Sequence, residues 1–270
     1  MDDKNLKKAA IKRGLGEKNK AAMERAFDAL YEKSSGRLPA LKPAYAAIMV
    51  LALSAGVMAA FFLKIETGDS PGLSNNLGGV WCTYSDTGDG GHSQVWPPAS
   101  TKQENNFTKS SPGYGDKGYA VRITGTTGAK LGWDYIGVLT FLSPQASCPS
   151  CEGVDISAYK GMRFMIKGTA VNGRLYFVLP YESREYDRGR NTCQTLTRYA
   201  DYETDITARI KENWSKVEID FRRDLKQPSW SGSGDIVDIE KVLKDARLIK
   251  WHYKGSSAAA DIWIDEMEFY

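Results

Sequence analysis

Short stretches in which apolar and polar residues alternate fill the chain beyond residue 117. "GYAVRITG" (118–125), "WDYIGVLTFL" (133–142), "GMRFMIKG" (161–168), "GRLYFVLPY" (173–181), "WSKVEIDF" (214–221), "ARLIKWHYK" (246–254) and "ADIWIDEMEFY" (260–270) are each rich in β-branched or aromatic residues. Gly, Pro, Asn and Ser clusters separate them, so each predicts a strand. "DIEKVLKDA" (238–246) is the one stretch that predicts a turn or two of helix. Nothing alternates a strand with a long helix, which argues against a parallel α/β sheet. Residues 76–270, about 195 in number, have the size of one all-β sandwich.

The pattern before residue 76 is different. "AYAAIMVLALSAGVMAAFFL" (44–63) runs twenty residues without a charged side chain. At about 1.5 Å per residue, a helix of that length spans the roughly 30 Å hydrocarbon core of a bilayer. A buried core helix rarely runs so far without a polar face. A cleaved signal peptide needs a short basic leader and a small-residue exit, whereas 43 residues precede this run and it leaves through Phe61-Phe62-Leu63. An uncleaved transmembrane helix is expected. Residues 1–43 form a basic tail in which "EKNKAAMERAFDALYEK" (17–33) places Met23, Phe27, Leu30 and Tyr31 at helical spacing. Such an amphipathic helix either lies on the inner leaflet or docks a cytoplasmic partner. Residues 64–75 are polar and are expected to be a linker.

Charge orients this arrangement. Residues 1–43 carry eleven Lys and Arg against six Asp and Glu, and residues 64–270 carry 25 against 27. The basic excess beside the apolar run keeps the N-terminus cytoplasmic and places the large domain outside. That domain has no electrostatic case for nucleic acid. Cys82, Cys148, Cys151 and Cys193 all follow the apolar run, on the side where disulfides persist. "CPSC" (148–151) sits in a Pro/Ser loop between predicted strands rather than at a helix start, and His92 and His252 are remote from it. Structural disulfides are expected, with three pairings open.

The order "DISAYKGMRFMIKG", "NWSKVEIDF", "LKQPSWSG", "LIKWHY" and "DIWIDEMEFY" resembles the family 11 carbohydrate-binding modules. It also resembles the related jelly rolls of the galactose-binding superfamily, which include the complex I intermediate-associated proteins. "NNLGGVWCTYSDTGDGGHS" (75–93) is similar to the opening strand and loop of bacterial members. The likeness covers residues 75–270 and rests on order and spacing. It implies a jelly roll, a sugar ligand, and a structural calcium ion held by a carboxylate of the last strand, where Asp265 stands in the matching position. Calcium takes six to eight oxygen ligands at about 2.3–2.6 Å. "SDTGDGG" (85–91) lacks the full pattern of an EF-hand loop and is expected to be a solvated turn.

Sugar recognition needs flat apolar faces with polar groups beside them. Alternation puts Trp251 and Tyr253 on one face of their strand, opposite Lys250 and His252, and pairs Trp133 with Tyr135. Tyr181 and Tyr186 leave a strand end beside Glu182, Arg184 and Glu185. Tyr135, Tyr181, Tyr186, Trp251 and Tyr253 are the expected ligand-binding residues; Trp214 and Trp263 are expected in the core. No carboxylate pair or Ser-His-acid set has the spacing of a catalytic site, so an enzyme is not expected. Two functions remain open. One is a non-catalytic module that binds a polysaccharide or peptidoglycan-type glycan, single-pass in a bacterial cytoplasmic membrane with its C-terminal domain in the periplasm. The other is an envelope scaffold that docks a protein partner.

Overall fold

The computed structural model describes residues 62–270, apart from 102–103, 148–149, 188–191, 197–198, 231 and 233–235. The expected amphipathic helix, and the expected membrane helix up to residue 61, lie outside the described residues. Among the described residues no helix is long and apolar enough to cross a membrane.

Thirteen strands follow in order among the described residues: β1 (Leu63–Glu66), β2 (Trp81–Ser85), β3 (Gln94–Trp96), β4 (Val121–Thr126), β5 (Tyr135–Phe141), β6 (Gly161–Val171), β7 (Arg174–Leu179), β8 (Glu182–Asp187), β9 (Thr192–Thr195), β10 (Tyr202–Asp205), β11 (Ser215–Asp220), β12 (Leu248–Lys254) and β13 (Ala259–Phe269). One sheet runs β11-β6-β13-β4-β3 with β1 also on β13, the other runs β10-β7-β12-β5-β2, and β8-β9 is a separate hairpin. The neighbouring strands pair antiparallel. The two sheets form a β-sandwich. Among the described residues are two short α-helices, α1 (Phe221–Asp224) and α2 (Ile239–Leu243). Asp220 starts the first by accepting from Arg222 N and Arg223 N, and Asp238 the second by accepting from Glu240 N.

Alternation builds the core. On β6, Met162, Phe164 and Ile166 point inward; on β7, Leu175, Phe177 and Leu179 do the same; all six are buried. Trp251 of β12 fills the centre, its ring centroid 5.8 Å from Trp81, 5.4 Å from Phe164 and 5.6 Å from Phe177. Cys151 and Cys193 are joined, tying the loop before β6 to β9. By chain entropy, closing a loop with a sequence separation of 42 contributes about 4 kcal/mol. Cys82 is a free thiol, and Cys148 lies outside the described residues.

Two boundaries depart from the sequence expectation. Leu63, the last residue of the predicted membrane helix, opens β1 and pairs with Phe269 of β13. The expected linker 64–75 is part of the sandwich: Ile65 and Glu66 are buried, and Asn75 hydrogen bonds to Thr140 and to the Phe141 carbonyl. A polar segment can join a sheet when its backbone finds a ladder and its polar side chains find partners, and hydropathy registers neither.

Candidate functional site

The outward face of the five-stranded sheet carries a cluster of rings in mutual contact. Across its strands the register aligns Tyr84 of β2, Gly137 of β5, His252 of β12, Tyr176 of β7 and Asp205 of β10. Gly137 is the enabling residue. A Cβ there would lie 2.4 Å from the Tyr84 ring, so only glycine lets that ring cross β5. Tyr84 thereby reaches Nδ1 of His252 at 3.0 Å, with the two rings stacked. Tyr135, at the start of β5, completes a triangle with ring centroids 4.9 Å from His252 and 5.9 Å from Tyr84. Trp133 stacks on Tyr135 at 6.1 Å and 22°, and is 54% exposed.

Buried Asp86 fixes this corner. Its carboxylate accepts from Ser93 N (2.9 Å), Ser93 Oγ (2.6 Å) and Tyr135 N (3.2 Å). The loop at 85–91 is exposed at residues 87–90, as expected of a solvated turn, and Asp86 is the enclosed side chain that anchors it. Asp89 accepts the Tyr135 hydroxyl at 2.6 Å. Burial raises the Tyr135 hydroxyl's pKa, and the Asp89 carboxylate raises it further. Burial likewise pushes Tyr84 well above the ordinary tyrosine value, with Tyr135 and Asp201 adding to it. Enclosure first, then the charges of Lys254 and Lys250, push His252 down to about 3. At neutral pH both phenols are protonated and the imidazole is neutral. One hydrogen bond joins the Tyr84 hydroxyl and His252 Nδ1, and the imidazole tautomer sets which of the two donates.

Charges flank the rings in matched pairs. Lys254 lies 3.9 Å over the Tyr176 ring and 3.4 Å from Glu203, and Arg174 is 3.3 Å from Asp205. Glu182 accepts from Arg247 and lies 3.6 Å from Lys250. Asp201, buried nearby, accepts from Tyr181 N at 3.2 Å. Its carboxyl is raised to about 6 by burial, with Glu182 adding to the effect and Lys250 opposing it.

Of the five expected ligand residues, one stands in this array, Tyr135. Trp251 and Tyr253 share a face as alternation requires, but it is the inner one. Both are wholly buried, and the Tyr253 hydroxyl donates to the carbonyls of Val171 (2.8 Å) and Ala259 (2.9 Å). They fill the sandwich because two large rings gain more from burial than Lys250, His252 and Lys254 would. Tyr181 packs against the edge of the core, with Lys241 5.2 Å over its ring. Tyr186 pairs with Cys193 in the β8-β9 hairpin, and its side chain lies outside the described residues. Tyr84 and His252 were missed as site residues. The Lys-His-Lys polarity of β12 was the signal for them, since it marks the solvent side of that strand.

Trp214 and Trp263, expected in the core, stand instead on the outer side of the six-stranded sheet. The Lys167 ammonium lies 4.8 Å from one ring and 5.0 Å from the other.

The residues around Asp265 do not fit a calcium ion. Asp265 is buried, but its Oδ2 accepts from Tyr114 N at 2.7 Å and its Oδ1 from Glu266 N at 2.8 Å. The neighbouring carboxylate, Glu66, accepts from Gly68 N (3.0 Å), Trp81 Nε1 (2.9 Å) and the ammonium of Lys109 (2.8 Å). Oxygens directed at N–H groups and an ammonium are not the open oxygen shell that calcium takes. Among the described residues no three His, Cys, Asp or Glu side chains cluster to hold a metal ion.

No protein-family model matches the sequence, and no curated protein matches it. Among solved structures the chain is similar to the family 11 carbohydrate-binding module of the cellulosomal cellulase Lic26A-Cel5E of Clostridium thermocellum. The identity is 15%, over 74% of this chain and 94% of that one, with a TM-score of 0.41. It is similar to the family 11 module of the same organism in complex with a β-1,3-1,4-mixed-linked tetrasaccharide, at 16% identity, 70% and 87% coverage and a TM-score of 0.40. It is also similar to the family 30 module of the cellulosomal cellulase Cel9D-Cel44B of Clostridium thermocellum, at 14% identity, 77% and 96% coverage and a TM-score of 0.45. At these values the likeness decides nothing about what this chain binds, which has to be read from its own side chains.

Proposed function

We propose that the sandwich is a non-catalytic carbohydrate-binding module whose site is the outward face of the five-stranded sheet. The observation that carries this reading is the contiguous array Trp133–Tyr135–His252–Tyr84 on a solvent-facing sheet. An exposed indole stacked on a tyrosine offers a flat apolar surface to the C–H face of a sugar ring. The carboxylate of Asp89, beside the Tyr135 hydroxyl, supplies acceptors for sugar hydroxyls.

The location of the module belongs to the same proposal. The apolar run 44–63 and the basic excess before it support a single membrane anchor with the N-terminus cytoplasmic. The glycan in reach is then that of a bacterial cell envelope, on the periplasmic side of the cytoplasmic membrane. The test is a glycan array probed with the full-length chain in mild detergent, alongside isolated peptidoglycan. Saturable binding to a neutral glycan is the expected result. A flat array and no peptidoglycan retention would reject the reading and favour a protein-docking scaffold.

A further inference from the structure

The place where a structural calcium was expected has a positive charge of its own. We propose that the ammonium of Lys109 is the cation of this site, tethered to the chain in place of a metal ion.

Two β-bulges bring the carboxylates inward. In β13 the register shifts between Asp265 and Glu268, and Glu266 adopts φ +48°. Ile264 and Asp265 are consequently both buried, where a regular strand would turn one of them outward. In β1 the register shifts between Lys64 and Glu66, and there Ile65 and Glu66 are both buried. Gly68 joins the two positions. Its N–H donates to Glu66 Oε1, and a Cβ on it would lie 3.3 Å from Asp265 Oδ1 and 2.2 Å from the Tyr119 carbonyl oxygen. With φ +67° it is a residue whose backbone and space both require glycine.

Two buried carboxylates this near each other need a compensating charge. Lys109 comes from a segment in which Phe107 and Lys109 alternate into the interior, held by Lys109 N donating to the Pro71 carbonyl at 3.2 Å. Its side chain is 1% exposed, and its Nζ lies 2.8 Å from Glu66 Oε2 and donates to the Ser74 carbonyl at 3.1 Å. Asp265 feels both neighbours: burial raises its carboxyl, Glu66 raises it further, and Lys109 pulls it down. A bound ion stabilises by mass action and is lost when its concentration falls. A tethered ammonium is present at every calcium concentration, so the fold is independent of the metal.

The full-length chain, dialysed against chelator, should contain no stoichiometric metal by elemental mass spectrometry, and its melt should be unchanged by chelator. Lys109→Met keeps the stem and removes the charge; it should lower the melting midpoint by roughly 10 °C. If that variant does not fold, K109M/E66Q should fold because it removes both charges together, and failure of the double variant as well would overturn the proposal. If Lys109→Met folds, a cycle with Glu66→Gln adds a second test. The double variant K109M/E66Q should lose less than the two single losses added, because it removes both charges together. One equivalent of tightly held metal, a chelator-sensitive melt, or strictly additive single losses would overturn the proposal. None of these readouts depends on glycan binding.

Discussion

Two clusters of outward aromatic residues, one on each sheet, are covered differently, although Tyr176 of the five-stranded sheet also carries a cation, Lys254. On the five-stranded sheet the rings lie against one another: Trp133 on Tyr135, Tyr135 beside His252, His252 on Tyr84. On the six-stranded sheet cations cover Trp263 and Trp214, while Trp96 of β3 is 59% exposed. Arg122 lies 4.6 Å over Trp263 while holding Asp261 with two hydrogen bonds, and Lys167 is shared between Trp263 and Trp214. A cation on an exposed ring contributes about 0.5–1 kcal/mol, which a sugar would have to displace. A ring stacked only on its neighbour keeps its other face for a ligand. Aromatic content does not mark a site; what already covers each ring does.

The strongest way to break this contrast is to show that a buried ring binds ligand. Trp251→Ala should lower stability by about 4 kcal/mol, read as a shifted urea midpoint, and any loss of binding should follow from unfolding. A variant that melts like the parent while losing binding would put Trp251 in the site after all. Next in size is the comparison of the two faces themselves. Trp133→Ala should weaken glycan binding about thirtyfold, or ~2 kcal/mol, with the melt nearly unchanged. Trp214→Ala should leave affinity within about twofold. The reverse pattern, measured by isothermal titration, would move the site to the other sheet.

The smallest effect concerns Asp201, beneath the ring-bearing face. Held near pH 6 by burial, it keeps a proton in the folded chain that the unfolded chain releases from about pH 4 upward. Its stabilising contribution is complete below that range and is lost as pH rises through 6. Asp201→Asn should therefore exceed the parent in stability at pH 5 by on the order of 1–2 kcal/mol, the gap closing toward pH 4. His252 runs the other way: its folded pKa is depressed, so its contribution is present above about pH 6.5 and lost as pH falls toward 3. Subtracting variant from parent at each pH removes that term. A variant less stable than the parent at pH 7 would mean that the Asp201 charge is needed there.

Much of the sandwich was legible because its long strands have one wet face and one dry face. The pattern at 161–168 became β6 and that at 246–254 became β12, with ends displaced by a few residues. Strands β1, β3 and β10 escaped because three or four residues with mixed polarity carry no clear period, and their partners in the ladder decide them. The site was half legible. Alternation correctly set Trp251 and Tyr253 against Lys250 and His252. It was the choice of the aromatic side as the outer one that failed, and Tyr84 and His252 went unnoticed with it.

What the sequence determined by itself is local: where strands run, which residues share a side, and how charge divides along the chain. Neighbours along the chain are enough to establish a period of two or an apolar run. The tertiary structure decided which side faces water, that Cys151 joins Cys193, and that the Lys109 ammonium meets Glu66 close enough to Asp265 to act on its charge. Those facts depend on strand register and on bulges that shift it by one residue. Register is set by the whole core closing at once, so no single segment carries it.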